Sequence, residues 1–340
     1  MEMMVRQTVR QAAADLVAAL DACAARLAAG ESEAASYAAV AAALDGCLAE
    51  LRSLGLWGPD NRLPSSELWN AAGHYLQRGW LQNRARTKPR GYAGDYEMLA
   101  RMHASELCDD PLGRAFDRYF QEEAAPRAVR GRMKLMAEWI VEAASAGHPH
   151  PGLLPEGEGE GGPLQVAVFG SAFGLEVRDA LLRMDAAARR RLRVVLLDLD
   201  PAAVQFARGQ LLPLIAPEQL TATAANLFRV PERPRLGAPL AGSQLIFCPG
   251  LFDYLDDDAA RAMLQALYGQ LAPGGELFVF QFAPHSTTRA YMEWLGNWYL
   301  IYRDAEQFRR LVLSAGFEAS QLQFGAEESG VDLFARIRRE

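Results

Sequence analysis

Leu164-Gln-Val-Ala-Val-Phe-Gly-Ser-Ala-Phe-Gly174, followed one helical segment later by Arg193-Val-Val-Leu-Leu-Asp-Leu-Asp-Pro201, reads as strand, glycine turn, helix, strand. The run from Gln165 to Phe169 is too uniformly apolar for a half-exposed strand and suits the buried centre of a parallel sheet. Leu175 to Met184 carries apolar residues at helical spacing, which completes a first βα unit of nucleotide-binding type. Glycine at 170 and 174 fits a ligand lying almost against the backbone at the strand's carboxyl end, where a β-carbon would collide with it. The second strand ends in Asp198, placed to accept hydrogen bonds from ribose hydroxyls. Asp200 is the expected N-cap of the next helix and Pro201 its first residue. A dinucleotide pocket would prefer Gly-x-Gly-x-x-Gly around its pyrophosphate. Position 172 is alanine, so the looser pattern suits a ligand without phosphates, and the same turn would serve as a purely structural connection.

At 340 residues the chain has room for about two domains of ~150 residues. Its hydrophobic fraction of 50% supports a sizeable core. A net charge of -7 and a pI near 5.4 argue against a nucleic-acid partner, which wants a basic surface. Cys23, Cys47, Cys108 and Cys248 show no paired metal-ligand spacing and read as free thiols of a reducing, cytoplasmic compartment. Asp15 and Asp21 interrupt the alanine-rich amino-terminal run, so neither a signal peptide nor a membrane span is expected. No metal site is expected.

Spacings of three and four over residues 5–54 predict two amphipathic helices broken near Gly30 to Glu33, packing elements suited to forming a homodimer. Thr87-Lys-Pro-Arg-Gly-Tyr-Ala-Gly-Asp-Tyr-Glu97 then interrupts helical sequence with more chemistry than a connector needs. Either it is a lid carrying Arg90, Tyr92 and Asp95 as catalytic residues, or a buttressing loop in which Asp95 caps the helix from Tyr96. Arg127, Arg130 and Arg132 are suited to an anion or to a solvated helix face. The composition of residues 146–163, including His148 and His150, marks a linker between a helical domain (1–145) and an α/β domain (164–340). Beyond Pro201, Leu220 to Ala225 is a third strand ending at Asn226, which would meet an adenine edge. Gln244 to Cys248 is a fourth and Leu277 to Gln281 a fifth, entered by a tight turn at Ala272 to Gly275. Asp257 or Asp258 is the expected cap of the intervening helix, and Gln321–Phe324 with Val331–Arg336 form a terminal hairpin.

That order resembles the class I S-adenosylmethionine-dependent methyltransferase fold, a seven-stranded Rossmann-like α/β sheet, here with an N-terminal helical domain. The likeness rests on Val168 to Gly174, Leu197-Asp198, Leu271 to Gly275 and the hairpin. A narrower resemblance adds Lys88 to Met98, Ala128 to Arg132, Gly250 to Leu255, Met292 to Trp294 and Trp298 to Arg303. These are similar to the bacterial 3-hydroxypalmitic acid methyl ester biosynthesis protein family, although Gly170-Ser-Ala-Phe-Gly174 departs from the Gly-Cys-Gly of its first motif.

The resemblance implies S-adenosyl-L-methionine as cofactor, met by Gly170, Ser171, Ala172, Gly174, Asp198, Leu199, Asn226, Leu227, Pro249 and Gly250. It implies a small-molecule acceptor walled by Phe252, Tyr254, His285, Trp294, Trp298, Tyr302 and Arg303. Carboxyl O-methylation of a hydroxy fatty acid or similar small acid is the expected reaction, and a carboxylate, ionised at neutral pH, needs no general base. O- or N-methylation of a secondary metabolite would need one. A non-catalytic S-adenosylmethionine sensor is the third reading.

Overall fold

The computed structural model describes residues 2–145 and 162–340. The expected linker lies outside them except for its last two residues, and His148 and His150 lie outside with it. Seven helices come first: α1 (Glu2–Ala28), α2 (Glu33–Ser53), α3 (Arg62–Leu76), α4 (Trp80–Thr87), α5 (Tyr96–Ala104), α6 (Pro111–Glu122) and α7 (Ala124–Ser145). Then follow β1 (Leu164–Phe169), α8 (Leu175–Arg183), α9 (Ala186–Arg191), β2 (Leu192–Asp198), α10 (Pro201–Leu211), β3 (Leu220–Ala224) and β4 (Ser243–Cys248). The chain finishes with α11 (Asp257–Tyr268), β5 (Leu271–Phe282), α12 (Ser286–Ala290), α13 (Ala305–Ser314), β6 (Leu322–Ala326) and β7 (Asp332–Arg338).

These elements form two compact units, residues 1–127 with 284–300, and residues 128–283 with 301–340. The division differs from the expected one at both ends. It falls within α7, because the apolar stripe of that helix beyond Ala128, including Met136, Ala137 and Ile140, belongs to the core of the second unit. Residues 284–300 return to the first unit, where Glu293, wholly buried, accepts from the Gly58 N–H at 2.7 Å and the Asn61 amide at 2.9 Å and pairs with Arg289 at 2.7 Å. Glu293 lies in a single π turn, Tyr291–Leu295. Turns of that kind occur preferentially at functional sites.

In the first unit the break between α1 and α2 is set by Gly30 at φ 89° and by Ser32, whose hydroxyl accepts from the Ala35 N–H. α2 is long and apolar enough, by length and composition alone, to cross a membrane, and its alanine content accounts for this. Val40, Leu44 and Leu51 are fully buried and the helix packs against α1.

The second unit is a seven-stranded sheet in the order β3-β2-β1-β4-β5-β7-β6, parallel except for the antiparallel β7 pairings. Strand residues alternate between two cores, as the two-residue pleat requires. Val166, Val168, Leu196, Phe247 and Phe280 face α7, α8 and α10, whereas Phe169, Leu197, Ile246 and Val279 face α11 and α13. Burial on both faces explains why these strands read as continuous apolar runs. On the first face Trp139 stacks on Phe278 at 4.5 Å, and Phe278 on Phe247 at 4.8 Å. Two local expectations are corrected. Asp256 caps α11, because its carboxylate reaches the Ala259 N–H at 2.9 Å. The Pro273–Gly275 turn is a bulge inside a longer β5, its register shifting between Ser243 and Leu245 and its Gly274 N–H donating to the Arg339 carbonyl at 2.8 Å.

Candidate functional site

In the second unit β1 delivers the chain into a turn that β2 holds from beneath. The Gly170 and Ser171 N–H groups both donate to the Leu197 carbonyl, at 2.8 and 3.0 Å, and the Gly174 N–H closes the turn on the Ser171 carbonyl at 3.0 Å. Ala172 adopts a left-handed conformation at φ 43°, a cost offset by its N–H donating to Asp198 Oδ2 at 2.7 Å. The other oxygen, Oδ1, accepts from the Asp200 N–H at 2.9 Å, while Asp200 caps α10 through the Ala202 N–H at 2.8 Å. Asp198 thus pins the glycine turn, with the Leu199 backbone as a further donor, and its carboxylate retains acceptor capacity for a ligand. Burial raises its pKa.

The two turn glycines differ. A β-carbon on Gly170 would find only Leu227 Cδ1, at 3.8 Å, so this backbone is open to a ligand. On Gly174 it would stand 3.2 Å from Ala207 Cβ and 3.5 Å from Leu196 Cδ1, which corrects the expectation that Gly174 faces a cofactor. Its bare α-carbon lets α10 and β2 close on the start of α8. Leu199 is 44% exposed after β2, Phe228 45% exposed after β3, and Asn226, just past the end of β3, is exposed as well. Two exposed apolar side chains there suit the faces of a planar base, and Phe228 was not foreseen from sequence.

A buried polar group lies at the same ends of β1, β4 and β5. Arg132 of α7 pairs with Asp332 at 2.7 Å, their side chains 7% and 0% exposed, and its Nη2 lies 4.0 Å from where a Gly250 β-carbon would be. Asp332 stands opposite Phe282 in the β5–β7 register. Asp253 Oδ1 accepts from the Phe282 N–H at 2.8 Å and the Gln281 amide at 2.9 Å. Glu176, in the first turn of α8, is 3% exposed. Burial pushes its carboxyl up to about 7, with the Arg132 guanidinium drawing it back, and burial raises Asp253 and Asp332 as well. Ser171 Oγ, Glu176 Oε1, Arg132 Nε and Asp332 Oδ1 are buried with no hydrogen-bond partner among the described residues. Buried polar atoms are nearly always satisfied, so four unspent ones around one strand end mark a place for a polar ligand. Arg132 was legible as an anion ligand. Glu176 and Asp332 were not, since an acid in a helix's first turn or at a strand's start reads as solvated.

The Glu176 shift has a pH consequence. Its folded pKa lies above the unfolded value, so the native state binds more protons between about pH 4.5 and 7 and stability falls as pH rises through that window. Glu176→Gln is expected to remove up to about 3 kcal/mol of that pH dependence. Chemical denaturation across the window measures it, and identical pH profiles for variant and parent would refute the assignment.

Of the other expected site residues, Arg303 and Phe252 are committed elsewhere. Arg303 donates to the Phe252 and Leu255 carbonyls, to Gln281 Oε1 and to Asp257, so it braces the turn after β4 instead of awaiting a carboxylate. Phe252 is core. Pro249 and Gly250 are half-buried at the end of β4, Tyr254 is 40% exposed and Tyr302 half-buried.

In the first unit the Arg90–Asp95 loop is locked down. Both Asp95 oxygens accept from Arg84 Nε at 2.8 Å, and Oδ1 also caps α5 through the Glu97 and Met98 N–H groups at 3.1 Å. Arg90 pairs with Glu97 at 2.8 Å over the Tyr96 ring. Gly94, at φ 71°, lies so close to Trp298 that a β-carbon would fall 2.5 Å from the indole. Tyr92 is half-buried, Trp294 is wholly buried, and His285 precedes α12 with Nδ1 3.2 Å from the Thr287 hydroxyl. Asp95 is therefore a structural residue in this geometry. Asp95→Ala is expected to destabilise by about 2–4 kcal/mol through loss of cap and ion pair, so thermal unfolding separates this from the expected catalytic role, which would leave stability unchanged.

The sheet order and the glycine turn followed by an acid at the end of β2 define the class I methyltransferase fold. No family model and no curated protein matches the chain. Among solved structures it is similar to a possible exported protein from Bordetella parapertussis, at 18% identity and TM-score 0.55, with 98% of this chain and 95% of that one covered. It is also similar to the CurJ carbon methyltransferase, at 12% identity and TM-score 0.51, with 99% and 92% covered. At these identities the likeness is one of fold.

Proposed function

We propose that the chain is an S-adenosylmethionine-dependent methyltransferase acting on a small-molecule acceptor. The observation that carries this reading is the set of four unspent buried polar atoms beside the open Gly170 backbone. They lie by the switch point where β1 and β4 diverge from their neighbours in sequence, the place where open α/β sheets bind ligands.

The residues fit the donor part by part. Asp198 offers its remaining lone pairs to ribose hydroxyls, Leu199 and Phe228 flank the base, and Asn226 meets its edge. Arg132 suits the carboxylate of the donor's amino-acid end, and Glu176 with Asp332 suits its ammonium. When bound, the cofactor supplies an electrophilic methyl group on a sulfonium. The protein's task is then to hold acceptor and donor in line and to exclude water, which provides much of the rate.

Carboxyl O-methylation of a hydroxy fatty acid or similar acid is the preferred reaction, supported by the narrower resemblance carried by Lys88 to Met98, Gly250 to Leu255 and Trp298 to Arg303. An acceptor hydroxyl or amine would draw on a base, for which raised carboxyls such as Asp253 are suited. Four free cysteines support a reducing cytoplasm for this chain, although the Bordetella protein is described as a possible exported protein. The exposed Met3 and Met4 of α1 support a homodimer through the amino-terminal helices.

Calorimetry with S-adenosylhomocysteine tests the reading, followed by turnover on a panel of an acid, a phenol and an amine. Asp198→Ala is expected to weaken donor affinity by about 1–3 kcal/mol, the cost of leaving hydroxyl donors unpaired. Absence of binding by the parent protein would refute the function, and unchanged affinity in the variant would remove Asp198 from the site. Binding without turnover on any acceptor would favour the sensor.

A further inference from the structure

In the first unit three cations gather without a counter-charge. Arg62, at the start of α3, lies 5.1 Å over the Tyr299 ring, whose hydroxyl donates to Asn61 Oδ1 at 2.8 Å. One turn along α3, the Ser65 hydroxyl accepts from Arg86 Nη1 at 2.7 Å and its carbonyl from Nη2 at 3.3 Å, and the guanidinium lies 5.0 Å over the Trp69 ring, so Arg86 is anchored as a fixed positive charge at the same helix end. Lys88 follows two residues later. It terminates α4 in a left-handed conformation at φ 49°, although it precedes a proline and carries a β-carbon. Strain of that kind collects at functional positions. No carboxylate pairs with Arg62, Arg86 or Lys88 among the described residues. The nearby Glu293 is spent on Arg289 and on the Gly58 and Asn61 donors.

Collecting like charges is unfavourable, and here burial adds to the cost. The Lys88 ammonium is lowered by burial and by the Arg62 and Arg86 guanidiniums, and Arg86 is lowered by burial. The Trp294 carbonyl accepts from the Ser65 hydroxyl at 2.9 Å and from Arg86 Nη1 at 3.4 Å. The group therefore carries positive charge that no paired carboxylate among the described residues balances, Glu293 being engaged by Arg289 and by the Gly58 and Asn61 donors.

We propose that Arg62, Arg86 and Lys88, with Tyr299 beside them, form a binding site for the oxyanion of a small ligand, a carboxylate or a phosphoryl group. One planar guanidinium and one flexible ammonium match such a group, Arg62 supplying directed donors and Lys88 a point charge, while the anchored Arg86 adds fixed positive charge. The site is independent of the donor-binding residues, so it stands or falls apart from the methyltransferase reading.

The test uses the full chain, titrated calorimetrically with inorganic phosphate and separately with a long-chain fatty acid below its micellar concentration. Arg62→Gln/Lys88→Gln removes two charges at residues that are not buried, and S-adenosylhomocysteine affinity serves as the control for an intact second unit. Binding of either probe, weakened about tenfold or more in the variant while the control holds, supports the site, and the probe that binds identifies the oxyanion. Absence of millimolar or tighter binding by both probes, or equal binding by parent and variant, overturns it.

Discussion

Replacing Arg132 by methionine is expected to destabilise the second unit by about 3–5 kcal/mol and to abolish donor binding. The stability loss arises because Asp332, wholly buried, loses its partner at 2.7 Å. Asp332 already has a raised pKa, so the variant can relieve the charge by taking a proton, and the deficit should grow as pH rises. Denaturant unfolding at acid and alkaline pH measures both effects. Arg132→Met/Asp332→Asn separates fold from function, since removing both charges should recover most of the stability while donor affinity stays lost. A double variant that binds S-adenosylhomocysteine like the parent would reduce Arg132 to a structural residue.

The second large effect is expected at Gly174. Gly174→Val places a branched side chain at φ 62° against Ala207 and Leu196, adding about 1–2 kcal/mol of backbone strain to about 1–3 kcal/mol of overpacking. Gly170→Ala, at φ 79° but facing open space, should incur only the strain and should show its main effect as at least a tenfold loss of donor affinity, about 1.4 kcal/mol. Thermal unfolding together with calorimetry on both variants distinguishes the two glycines. If Gly174→Val folded stably and lost only the donor, the assignment of its β-carbon direction to the core would be wrong.

The contrast between these glycines shows where sequence reading stops. Both were visible as turn glycines after an apolar strand, yet the direction in which a missing β-carbon would point depends on α10, whose packing no local pattern encodes. Asp95 follows the same logic. Its role as a cap could be read from its place before Tyr96, but the Arg84 pairing that commits both its oxygens joins α4 to the loop through space.

The sequence by itself determined the order of strands and helices, the Asp200 and Asp95 caps and the α1–α2 break, because two-residue and helical periodicities and capping chemistry act over a few neighbouring residues. It also carried enough motif to identify a class I methyltransferase sheet. Only the tertiary structure decided which polar residues meet at its carboxyl end. Arg132, Glu176 and Asp332 come from a helix before the sheet, the helix after its first strand and the first residue of β7. Their burial, and hence their charge state and unspent valences, arises only when distant segments pack around them and exclude water.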